Sequence, residues 1–137
     1  MMESLVIFVV NVMFFSVMFG FHSLADYPLQ GEFLARYKSE NFFVLLCHCS
    51  IYALVVTLGF YILQNITKWT TDSSYVFIYF ILFITHVVID MLKCFYRDEL
   101  KKEYPDLDDS NSEGHKKDVK GFYYDQAAHL IVIWLLI

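Results

Sequence analysis

The sequence predicts an all-α integral membrane protein, a four-helix bundle folded as one transmembrane domain over residues 1–137. Three observations lead there. The chain is 58% hydrophobic and 19% aromatic with only 18% charged residues, and a soluble domain of this size leaves too much surface in water to hide that composition. Its apolar residues gather in four runs, each close to the ~20 residues that cross a ~30 Å hydrocarbon core. The basic residues lie almost entirely on one side of the resulting topology, as the positive-inside rule expects.

The first run covers about 5–26 and is stopped by Pro28, which lacks a backbone donor and disfavours helix at Tyr27. Glu3 is the only charged side chain ahead of it. The basic n-region of a signal peptide is therefore missing, and the run is expected to remain as a helix of the mature protein. Residues 27–41 place Arg36 and Lys38 beside Phe33, Leu34 and Tyr37, the composition of an interfacial turn or short amphipathic helix. The second run covers about 42–63, and a link over 64–74 holds Lys68 and Trp69. The third covers about 75–96, where Arg97, Asp98 and Glu99 open a polar stretch. Residues 97–120 are expected to form a mobile soluble loop; its Asp106, Asp108 and Asp109 lack the glycine and terminal glutamate spacing of a calcium loop. The fourth run, about 121–137, is the shortest.

With four spans, the loops 27–41 and 97–120 share one side. Arg36, Lys38, Lys93, Arg97, Lys101, Lys102, Lys116, Lys117 and Lys120 lie in them or at their helix ends, and only Lys68 lies opposite. Both loops are therefore expected in the cytoplasm, with both termini outside a bacterial inner membrane. Cys47, Cys49 and Cys94 fall in apolar runs with no C-x-x-C, so they read as small apolar residues rather than a disulfide or zinc framework. No basic stripe interleaved with aromatics points to nucleic acid, and the partners expected are membrane lipids and, for some readings, further copies of the chain.

The polar residues inside the runs carry the chemistry. His22 and Asp26 sit four apart at the cytoplasmic end of the first helix, and His86 and Asp90 repeat that spacing in the third, with Lys93 one turn on. In the fourth helix the order reverses to Asp125 then His129, and His48 lies two turns into the second. The first and third helices run towards the cytoplasm and the fourth away from it. At ~1.5 Å per residue, every histidine therefore lies deeper and every aspartate shallower, at comparable depths. Ionisable groups at such positions face the bundle interior, because lipid leaves them unsolvated.

Neutral imidazole and carboxylate together suit a divalent metal, zinc first and manganese or iron next, bound by His22, Asp26, His48, His86, Asp90, Asp125 and His129. The count allows two ions, or some aspartates that only orient the imidazoles. A metal-dependent hydrolase of a lipid or membrane-associated substrate would then use Asp90 or Asp125 as general base and Lys93 to stabilise a developing anion. Lys93 snorkelling to the headgroups is the plain alternative. Three other readings compete: a structural polar network gluing the helices, an ion or proton pathway in an oligomer, and haem ligated by histidine pairs, which the carboxylates disfavour.

At these residues the chain resembles a known family. His22-Ser23-Leu24-Ala25-Asp26-Tyr27-Pro28-Leu29-Gln30 is similar to the opening signature of domain of unknown function 3307, a family of small bacterial and phage membrane proteins. His48, the His86, Asp90 and Lys93 run, and Asp125-Gln126 followed by His129 match its later motifs in order. The resemblance covers nearly the whole chain. It implies a membrane location and a shared site, adds Gln30 and Gln126 as polar partners, and carries no assigned reaction.

Overall fold

The computed structural model describes residues 2–67, 74–107, 109, 110 and 112–137. Lys68 and Trp69 of the expected link, and Asp108, lie outside the described residues. Five helices and no strand are present among the described residues: α1 (Met2–Asp26), α2 (Gly31–Tyr37), α3 (Phe42–Thr67), α4 (Tyr75–Glu103) and α5 (Glu113–Leu136). Three of them, α1, α3 and α4, are long and apolar enough to cross a membrane.

α1 ends where Pro28 forbids its continuation, and the chain reverses at Gly31, whose φ of +61° is a conformation other residues adopt only with strain. That reversal lays α2 against α3. Asn41 starts α3, its Oδ1 accepting from the backbone N–H of Phe43 at 2.9 Å and, more weakly, of Val44 at 3.4 Å.

The long helices contact one another around a closed circuit, α1 on α3, α3 on α4, α4 on α5 and α5 on α1. Their shared apolar core is built from Phe14, Met18, Tyr52, Val56, Phe60, Ile78, Leu82 and Ile133. These residues precede the polar positions of α1 and α4 and follow those of α3 and α5. The core therefore fills one end of the assembly, and the polar cluster lies towards the other. Apolar side chains cover the outside too: Leu5, Phe43, Phe95 and Leu135 are each more than half exposed. Lipid tolerates such a surface, and the backbone groups beneath it are satisfied within the helices.

Two helix boundaries differ from the expectation of a loop over 97–120. α4 continues to Glu103, and α5 begins at Glu113. The charges of this stretch conceal a helical hairpin whose inner face buries Leu100, Leu107 and Gly114. Pro105 follows the end of α4 and cannot extend it. Ser112 caps α5 by accepting from His115 N–H at 3.0 Å. Arg97 to Asp118 at 3.5 Å and Lys117 to the Tyr104 hydroxyl at 2.6 Å tie the two helices across. A Cβ on Gly114 would stand 2.5 Å from the Tyr104 Cβ, so only glycine admits this approach. The same polar turns keep α5 out of the group of helices apolar enough to span by composition: its first two turns carry Glu113, Lys116, Lys117, Asp118 and Lys120.

Candidate metal centre

Every expected metal ligand is buried, and Lys93 is partly so. His22, His48, His86, Asp90 and His129 are at most 2% exposed, and Asp26 and Asp125 are each 6% exposed. The four imidazoles, one from each long helix, form a continuous chain of ring contacts. His48 and His86 have centroids 5.0 Å apart, His86 stacks on His129 at 4.1 Å, and His129 meets His22 at 5.8 Å. Tyr52 fills the middle, stacked on His86 at 3.7 Å. A porphyrin would have to part these stacked rings.

The carboxylates divide the cluster into two connected groups. In the first, His48 Nε2 and His86 Nε2 face each other at 3.0 Å, one donating to the other. Asp26 Oδ1 lies 3.4 Å and 4.0 Å from them, and Asp90 Oδ2 lies 3.4 Å and 3.7 Å away. In the second, His129 Nε2 stands 3.4 Å from Asp125 Oδ1 and 3.9 Å from Asp90 Oδ1. Asp90 thus turns one oxygen to each group. Donors held ~2.0–2.1 Å from a tetrahedral zinc stand about 3.3–3.4 Å apart. Asp26, His48 and His86, and likewise Asp90, Asp125 and His129, are disposed to within a small adjustment of that arrangement.

Two atoms mark the second group. Asp125 Oδ1 and His129 Nε2 are buried and make no hydrogen bond among the described residues. Unsatisfied buried polar atoms cost ~1–3 kcal/mol each, and two of them facing one another are what a cation would satisfy. Asp125 Oδ2 is fully engaged, accepting from Lys93 Nζ at 2.6 Å and from Gln126 Nε2 at 3.0 Å.

Formal charge points the same way. Lys38 and Lys93 each reach into the cluster and pair with Asp90 and Asp125, against three carboxylates in all. With neutral imidazoles, one negative charge remains in a setting of low dielectric, where an uncompensated charge is costly.

The structure brings six of the seven expected ligands to metal-ligand spacing, leaves His22 outside those groups with its two ring nitrogens held by Tyr52 and Gln126, and adds three residues whose roles sequence reasoning did not reach. Lys38, counted there only as a basic loop residue, extends from the end of α2 to Asp90 Oδ2 at 2.9 Å. Tyr52, one turn after His48, places its hydroxyl 3.0 Å from His22 Nδ1. Cys49, read as a small apolar residue, is fully buried with its sulfur within ligand spacing of His86 and Asp90. The two glutamines also take definite places. Gln126 binds His22 Nε2 through Oε1 at 3.0 Å and donates to Asp26 Oδ2 at 3.0 Å. Gln30, with its amide oriented to match its neighbours, donates to the Asp26 backbone oxygen and accepts from Lys38 Nζ. His115 stays outside, in the first turn of α5.

A family model described as Protein of unknown function (DUF3307) matches residues 13–137, a span that includes every residue of this cluster. No curated protein and no solved structure matches the chain.

Proposed function

The chain belongs to the DUF3307 family, proteins of unknown function, and on that premise we propose that it is a membrane protein built to hold a divalent metal. In this reading α5 crosses the bilayer with α1, α3 and α4. Residues 1–137 then form a single four-helix transmembrane domain, with the centre near the cytoplasmic face and both termini outside. The pairing of Asp125 Oδ1 with His129 Nε2, two buried ligand atoms that make no hydrogen bond among the described residues, carries the proposal. Borderline-hard nitrogen and oxygen ligands put zinc first, with manganese and iron next.

The chemistry we assign is hydrolysis of a lipid or membrane-associated substrate. A bound divalent ion supplies Lewis acidity to such a reaction. The residues of the chain supply the rest: Asp125 or Asp90 takes a proton from the attacking water, and Lys93 neutralises the anion that forms. A structural network is the second reading, favoured by the two ion pairs Lys38–Asp90 and Lys93–Asp125, which knit α4, α5 and the end of α2 together without a metal.

Elemental analysis of the chain purified in detergent separates the two. Stoichiometric zinc, manganese or iron is expected. His86→Ala should lower it several-fold while membrane insertion is unchanged. A metal-free and fully stable protein would establish the network instead.

A further inference from the structure

A groove of about 370 Å³ runs along the outer face of α4 and α5, and its back wall is the Lys93–Asp125 ion pair. Ligand sites begin at ~300 Å³, so the space is large enough for a segment of an amphiphile. The pair is oriented: the Lys93 side chain is 28% exposed and the Asp125 side chain only 3%. Moving inward from the surface, a molecule meets the ammonium first and then the carboxylate. Behind it stand His129 and Asp90. On one side of Lys93 the groove is lined by Ile89, Leu92 and Ala128; on the other, Tyr96 and Tyr124 form its mouth. The Tyr96 ring lies directly on Gly121, where a Cβ would approach it to 2.7 Å, so a glycine sets the position of that wall.

A second groove, between α3 and α4, provides the contrast. It is larger, about 450 Å³, but contains no charged side chain and opens around Thr57 and Tyr79, far along both helices from the polar cluster. Any acyl chain of the bilayer can occupy such a surface. Of these two grooves, it is the α4–α5 one that joins an apolar track to an ammonium and then to the candidate ligands.

We propose that the α4–α5 groove is a lateral port for an anionic phospholipid of the surrounding leaflet. Its acyl chain lies along Ile89, Leu92 and Ala128, and its headgroup phosphate meets Lys93. This rests on the membrane and metal reading above and names the substrate class of that site. A lysine ammonium at the end of an apolar track matches a phosphate at the end of an acyl chain in both charge and order. Aromatic residues at the mouth suit the headgroup level.

The test uses the full chain in phosphatidylcholine vesicles doped with phosphatidylglycerol, or with phosphatidylcholine, bearing a diazirine in the acyl chain. After irradiation, adducts are mapped by mass spectrometry. Adducts on 89–96 and 121–128 are expected to exceed those on α1 and α3, with phosphatidylglycerol preferred about five-fold, the scale on which one lysine attracts anionic lipid. Ala128→Trp, or Leu92→Trp on the more exposed wall, should abolish the enrichment. Lys93→Met should keep the adducts but lose the headgroup preference. Uniform labelling that neither tryptophan alters would overturn the proposal, as would a protein–protein crosslink through this face that excludes lipid. Metal content is measured on the same preparations. Enriched labelling of metal-free protein would uphold the port and sink the metal reading, whereas uniform labelling of metal-loaded protein would do the reverse.

Discussion

The ammonium of Lys38 donates to Asp90 Oδ2 across 2.9 Å and stands 3.4 Å from His48 Nε2. Lys38 belongs to no long helix; it arrives from the end of α2, and its charge sits where a cation bound by Asp26, His48 and His86 would compete with it. Removing it has two effects of opposite sign. A buried carboxylate that loses its partner costs ~3–5 kcal/mol, and the 12% exposure of the Lys38 side chain puts this case towards the lower figure. The same loss removes the competitor of the metal. Lys38→Met should therefore lower the melting temperature of the chelator-treated protein, and added zinc should raise it by more than in the unaltered chain. Thermal melts with and without zinc check this. An equal zinc shift in both proteins would remove Lys38 from the site.

Asp90 turns Oδ2 towards His48 and His86 and Oδ1 towards His129. A carboxylate shared by two groups should matter more than a ligand of one. Asp90→Ala is expected to weaken metal binding at least about ten-fold more than His129→Ala does, the scale by which even supporting groups alter affinity. Competition against a metal-responsive dye gives both constants. If His129→Ala is the more damaging, the metal sits in the second group alone and Asp90 does not bridge the two.

Tyr52 performs two jobs that one substitution separates. Its ring stacks on His86 at 3.7 Å, and its hydroxyl lies 3.0 Å from His22 Nδ1. Tyr52→Phe keeps the stack and strands the His22 nitrogen, at a cost of ~1–3 kcal/mol. The expected result is a lower melting temperature with metal stoichiometry preserved, because His86 stays in place. Complete loss of metal would show instead that the hydroxyl fixes the imidazole tautomer on which binding depends.

Much of the cluster is legible in the chain because helices repeat. His22 with Asp26, His86 with Asp90, and Asp125 with His129 each recur at a spacing that shares a face, and reversing the order in the helix of opposite direction matches their depths. Tyr52 carries the same signal, four residues after His48, but a tyrosine in an apolar helix packs and hydrogen-bonds without any site. Lys38 has no such signal. Its reach to Asp90 depends on the reversal at Gly31 and on α2 folding back against α3, neither of which leaves a periodic trace. The hairpin ends of α4 and α5 were hidden for another reason: their charges outnumber the few apolar residues, Leu100 and Leu107, that fix them together.

The course of α5 is open to a direct test. Lys93 pairs with Asp125 and Asp90 faces His129, so residue numbers rise along α5 as they fall along α4. α5 therefore runs back beside a helix apolar enough to span, with Ile133 buried in the common core. A helix in that position ends on the side where α4 began. Its own composition alone does not require this, since its first turns are charged. With the sidedness proposed above, three spans would leave the C-terminus on the cytoplasmic side with the basic residues; four would carry it across. A reporter enzyme that folds only outside the cytoplasm should be active when fused after Ile137, and a cytoplasm-specific fluorescent reporter inserted between α4 and α5 should be bright. A cytoplasmic C-terminus would detach Asp125 and His129 from the depth assigned to the other ligands, and the four-span arrangement with it.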